Sequence, residues 1–267
     1  MKGVIHFMMS KRVELPDATI EFVDKGEGDA LVLLHGFCGS SAYWERVIPE
    51  LSESFRVIAP DLPGHGKSSE NESFSLEGYA DIIKGLIDQL NIQKVTMFGH
   101  SLGGYISLAF AEKYSDHLNG FSLVHSTAYP DSEEAKKGRV ANVEKVKNEG
   151  TKPLIDGLIP KLFAPENVDK DYVHATKEIG YVTSPQGTIS ALIAMKNRPD
   201  RNRVLETTPL PVLLIAGEQD QIIPAEKTFS VNRDNIKQEL IKNSGHMSMY
   251  ENPIDLISVM KEYLTSI

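Results

Sequence analysis

Short apolar runs recur along the chain at residues 31–34 and 212–216, and at 95–98 with Thr96 as the one polar residue, with related runs at 56–59, 120–124 and 239–242. Such runs are expected of strands covered by helices on both faces, where neither side of the pleat meets water. Between them, apolar residues return every three or four positions over residues 43–51, 76–90, 102–114 and 254–265, the period of a helix with one buried face. Residues 13–15 and 18–24, separated by Pro16 and Asp17, read as an opening hairpin. Strand and helix alternate, so the pattern predicts an α/β fold with a mostly parallel central sheet flanked by helices.

The alternation stops over residues 129–208. That stretch is charged and helix-prone at 131–147 and broken by Pro153, Gly157, Pro160, Pro165, Pro185 and Gly187. It turns helical again at 188–197 and carries no strand pattern of comparable strength. The expected organisation is therefore a core of residues 1–128 and 209–267, with a helical cap inserted at 129–208.

Chemistry enters at the junctions. Gly99-His100-Ser101-Leu102-Gly103 places a serine between two glycines where an apolar strand meets a helix. A turn that sharp leaves no room for side chains at the flanking positions and pushes the serine hydroxyl out of the sheet. A serine there could also be only the N-cap of the helix. Two further strand ends carry the partners a serine nucleophile needs. Residues 212–216 run into Gly217-Glu218-Gln219-Asp220, and residues 239–242 into Asn243-Ser244-Gly245-His246-Met247. An imidazole must take the serine proton, and a carboxylate must fix the imidazole tautomer. The candidates are Ser101, His246 and Asp220, with Glu218 as the alternative carboxylate. The early strand 31–34 leads into His35-Gly36-Phe37. There the Phe37 N–H, with the Leu102 N–H, is positioned to hold an oxyanion. Phe37, Trp44, Tyr129 and Met247 are candidate pocket walls.

Taken together, the HGF segment at 35–37, APDLPGHGKS at 59–68, GHSLGG at 99–104, GEQD at 217–220 and SGHMSMYENP at 244–253 resemble the α/β-hydrolase fold family, in its serine esterase and lipase-like branch. The resemblance implies that fold, the chain order Ser101, Asp220, His246, and cleavage of a small carboxylic ester without cofactor or metal. Lactone hydrolysis, carbon–carbon bond hydrolysis and perhydrolysis share the framework and stay open, as does a ligand sensor that retains the triad. Serine at 101 argues against the epoxide- and halide-removing relatives, which carry aspartate there.

Composition changes little in this picture. At 267 residues the chain can bury a large core, and a net charge of -9 with a pI near 5.4 gives no reason to expect nucleic acid or an anionic membrane as partner. One cysteine, Cys38, cannot form an intramolecular disulfide. The segment 61–68 ends in Gly-Lys-Ser but lacks the first glycine of a phosphate loop and is broken by Pro63. No run approaches the roughly 20 apolar residues of a membrane helix, and the first twelve residues hold no convincing export signal. The expected location is cytoplasmic.

Overall fold

A computed structural model describes residues 10–70 and 75–267, so the expectation for the first nine residues lies outside the described ones. Eight strands form one sheet: β1 (Ser10–Glu14), β2 (Thr19–Lys25), β3 (Ala30–Leu34), β4 (Arg56–Pro60), β5 (Val95–His100), β6 (Leu118–Val124), β7 (Val212–Gly217) and β8 (Ile236–Ile241). Their order is β1-β2-β4-β3-β5-β6-β7-β8. Only the pairs β1/β2 and β2/β4 are antiparallel; every other neighbour is parallel.

The central strands are buried on both faces, as their unbroken apolar character predicts. In β3, Val32 and Leu34 join the cluster containing Tyr79, Ile83, Ile106 and Phe110, while Leu31 and Leu33 join the cluster containing Ile48, Leu256, Met260 and Tyr263. Alternate residues of one strand thus feed two separate cores. The helices supplying the outer layers are α1 (Ile48–Leu51), α2 (Leu76–Gln89) and α3 (Leu102–Tyr114). Between β6 and β7 come α4 (Glu133–Glu149), α5 (Lys152–Leu158), α6 (Asp171–Tyr181), α7 (Pro185–Asn197) and α8 (Asn202–Thr207). The chain ends with α9 (Ala225–Thr228), α10 (Ser248–Glu251) and α11 (Pro253–Thr265).

The segment between β6 and β7 meets the loops at the carboxyl ends of the strands. Ser184 caps α7 by accepting the Gly187 N–H, and its own N–H bonds Gly64 O at 3.1 Å. There the two backbones touch: a Cβ on Gly187 would sit 2.3 Å from Gly64 O. Gly187→Ala is therefore expected to destabilise the protein by about 1–3 kcal/mol by forcing these backbones apart. A lowered urea midpoint would show it. The two ends of the segment are tied down by arginines. Arg198 pairs with Asp131 at 2.6 Å and lies 4.1 Å from the Tyr105 ring centre, while Arg201 bonds Glu112 at 3.0 Å and also Glu77.

Two fully buried histidines brace the β3 and β4 ends. His35 donates from Nδ1 to Gly36 O at 2.8 Å and accepts the Leu62 N–H at Nε2, and His65 Nδ1 bonds Pro63 O at 3.0 Å. Burial pushes His35 down to about 4, and burial with the neighbouring His35 pushes His65 to about 3. An unfolded histidine titrates near 6.5, so below about pH 6.5 the unfolded chain binds protons that the folded one refuses. The contribution of these two rings is complete above that pH. It is expected to fall by about 1.4 kcal/mol per pH unit for each ring as the pH drops toward the folded values. The urea midpoint measured between about pH 7 and 4.5 checks this, and a flat midpoint would contradict it.

Candidate active site

The end of β5 turns into α3 through Ser101, at φ 51° and ψ -110°. A non-glycine residue with positive φ is strained. Here the surroundings hold it: the Ser101 N–H bonds Val124 O at 2.9 Å, and Ser126 Oγ donates to Ser101 O at 2.8 Å. The glycine at 99 is needed because a Cβ there would lie 2.3 Å from Gly103 O, and the one at 103 because its Cβ would lie 2.5 Å from Leu34 O. Ser101 itself is half-buried and makes no side-chain cap bond, which sets it apart from Ser75, Ser132 and Ser184 at the starts of α2, α4 and α7.

His246 and Asp220 arrive from the ends of β8 and β7. His246 Nδ1 and Asp220 Oδ2 are 2.7 Å apart, both side chains almost fully buried. The remaining carboxylate oxygen, Oδ1, accepts the N–H groups of Ile222 and Ile223 at 2.8 and 2.9 Å. Burial alone would raise the Asp220 pKa, but the His246 charge and the histidine contacts override it and hold the carboxyl far below the usual range. Glu218 takes no part in this pair. Its side chain turns outward to accept the Asn243 N–H at 3.0 Å.

The backbone of His246 is also fixed. Its N–H bonds Leu162 O of the segment between β6 and β7 at 2.7 Å, and its carbonyl lies 2.9 Å from His100 Nε2. Glu251 joins the same loop to that segment, accepting the N–H groups of Gly245 at 2.8 Å and Ala164 at 2.7 Å. The Gly36 turn lies against the elbow: a Cβ on Gly36 would sit 3.3 Å from Ser101 Cβ. Phe37 follows it, partly exposed. Leu102 opens α3, so its N–H has no partner within the helix and the helix dipole favours negative charge there.

Of the four candidate pocket residues, Phe37 and Tyr129 keep exposed surface, whereas Trp44 and Met247 are 0% exposed and belong to one apolar cluster. The sequence did not single out Glu251, Leu162, Ser248 or the role of His125. His125 follows β6 at φ 48°, with Nδ1 3.5 Å from Asp220 Oδ2 and Nε2 2.7 Å from Ser248 Oγ. A histidine at a strand end beside Ser101 was its one visible signal. The ligating atoms of His125, Asp220 and His246 lie within 4.8 Å of one another, the one such grouping among the described residues. A cation there would displace the 2.7 Å Asp220–His246 bond, so the trio is best described as a hydrogen-bonded Asp220–His246 pair with His125 beside it. No described helix is long and apolar enough to cross a membrane.

The sequence profile of the alpha/beta hydrolase fold matches residues 29–149. Among solved structures, the chain is similar to a thermophilic esterase from Thermogutta terrifontis, at 30% identity and a TM-score of 0.92 over 96% of this chain and 98% of that one. It is 29% identical over 241 residues to a 2-(acetamidomethylene)succinate hydrolase of Mesorhizobium japonicum, covering 85% of this chain and 84% of the relative. A 2-hydroxy-6-oxo-6-(2'-aminophenyl)hexa-2,4-dienoic acid hydrolase of Metapseudomonas resinovorans is 25% identical over 265 residues, covering 91% of this chain and 87% of the relative. With its eight-stranded, mostly parallel sheet, its flanking helices and these likenesses over nearly its whole length, the chain belongs to the α/β-hydrolase fold family and is a hydrolase.

Proposed function

We propose that the protein cleaves small carboxylic esters through an acyl-enzyme, with Ser101 as nucleophile, His246 as general base and acid, and Asp220 as the orienting carboxylate. The observation that carries this reading is the 2.7 Å Asp220–His246 bond, formed by the loops after β7 and β8 in a sheet whose β5 ends in a serine on a strained strand-to-helix turn. The carboxylate holds the imidazole proton on Nδ1, leaving Nε2 free to accept a proton from the hydroxyl. Attack on the ester carbonyl then gives an oxyanion that the Phe37 and Leu102 N–H groups stabilise. The alcohol leaves with the proton from His246, and water repeats the sequence on the acyl group. Esterase chemistry in the Thermogutta terrifontis relative supports the choice of bond.

The helices between β6 and β7 act in this proposal as a cap over the site, since they touch the loops after β3, β4 and β8. Phe37 and Tyr129 are its pocket walls. A second reading, hydrolysis of a carbon–carbon bond in a dienoic acid, is favoured by the Metapseudomonas resinovorans relative. A p-nitrophenyl ester series from acetate to long acyl chains separates the two. Turnover with a clear chain-length optimum is expected for the esterase. An inert ester series, together with cleavage of a dienoic acid of that type, would replace the first reading with the second.

A further inference from the structure

We propose that His125 is a positioning residue of this site: held by Ser248 with its proton on Nδ1, it turns that N–H toward Asp220 Oδ2 and moderates the charge that Asp220 presents to His246. The proposal rests on the Ser101, Asp220 and His246 roles given above. It starts from a geometry that the proposed chemistry does not use.

His125 is fully buried, and each of its ring nitrogens faces one polar group. Nε2 lies 2.7 Å from Ser248 Oγ, itself fully buried, and Nδ1 lies 3.5 Å from Asp220 Oδ2. Burial lowers the His125 pKa, with the Asp220 contact opposing it, so the ring is neutral and carries a single proton. A proton on Nε2 would leave the Nδ1 lone pair facing a buried carboxylate, a repulsion that low local polarity strengthens. A proton on Nδ1 turns that repulsion into attraction, and the Ser248 hydroxyl then donates to Nε2. At 3.5 Å the Nδ1 contact is an electrostatic one, longer than a full hydrogen bond.

Asp220 then has donors on every side. Oδ1 takes two backbone N–H groups, and Oδ2 takes His246 and faces His125. The other titratable groups facing His125 are the His246 ring at 5.7 Å, the His100 ring at 6.0 Å and Glu251. None of these supplies the Nδ1 side of the ring with an alternative acceptor. The backbone of His125 is fixed as well, with its N–H on Ile215 O at 2.8 Å and φ at 48°.

Two substitutions separate the two ring nitrogens. The asparagine amide reaches about as far as Nδ1, and asparagine tolerates the left-handed backbone, so His125→Asn keeps a donor toward Asp220 and loses Ser248. The longer glutamine reaches Nε2, so His125→Gln keeps Ser248 and loses the donor toward Asp220. Without that donor the carboxylate is more negative and holds the imidazolium more tightly. The acid limb of the kcat/KM profile on a p-nitrophenyl ester is expected to move up by about one pH unit in His125→Gln and to stay at the wild-type position in His125→Asn. A merely structural role would shift both or neither, and either pattern would overturn the proposal.

Nitrogen-15 NMR of the wild-type protein gives a reading that needs neither folding of a variant nor turnover. A protonated Nδ1 and bare Nε2 on His125 at neutral pH are expected, and the opposite tautomer would overturn the proposal. If no ester is hydrolysed, the esterase reading fails while the tautomer alone still decides the role of His125.

Discussion

Replacing Ser101 by alanine is expected to lower kcat on a p-nitrophenyl ester by about four to six orders of magnitude. The substitution removes one oxygen and leaves the strained turn, its Val124 bond and the two flanking glycines in place. Alanine at φ 51° is no more strained than serine, so the thermal midpoint should stay within a few degrees of wild type. Stopped-flow measurement of the nitrophenolate burst adds a second test. The wild type should release about one equivalent per site before steady turnover, and the variant none. A folded variant that retains full turnover would eliminate Ser101 as the nucleophile.

Asp220→Asn is expected to cost about 10⁴-fold in kcat, and its geometry explains why so conservative a change is so damaging. The Ile222 and Ile223 N–H groups hold one carboxylate oxygen at 2.8 and 2.9 Å. They will keep the asparagine oxygen and turn its NH2 group toward His246. Nδ1 must then accept a hydrogen bond, the imidazole proton moves to Nε2, and that nitrogen can no longer take a proton from Ser101. Glu218→Gln serves as the control: its side chain contacts the Asn243 amide and is expected to leave turnover unchanged. Equal losses in the two variants would remove Asp220 from its role.

These two residues also mark how far the sequence could be read. Ser101 was legible because its chemistry is local: strand, glycine, serine, glycine and helix are contiguous, and α3 begins and ends where the periodicity places it. The choice between Glu218 and Asp220 was not local. It depends on how the loops after β7 and β8 face one another, which the parallel pairing of Gly217 with Ile241 determines. The Asp220–His125 contact lies further out of reach, because it joins the ends of β6 and β7 across the whole run of helices between them, only through sheet order.

Among the elements, the strands buried on both faces were the clearest. β8 was read three residues too late, at 239 instead of Ile236, because Lys237 and Gln238 give the start of this edge strand a polar character. The helix expected over 43–51 is two pieces, a single tight turn at Ser41–Trp44 and the short α1. Pro49 explains the break: it has no N–H to donate and its ring would clash with the carbonyl four residues earlier, so it opens a new helix instead. Between β6 and β7, prolines and glycines obscured α6, whose buried Val173, Thr176 and Gly180 face the rest of the protein.

In the proposed mechanism, the bond from the His246 amide to Leu162 ties the general base to the helices between β6 and β7. Any movement of those helices that broke this bond would free the backbone of the base as well. Under the proposed mechanism, proton transfer is then expected only in conformers that keep the bond.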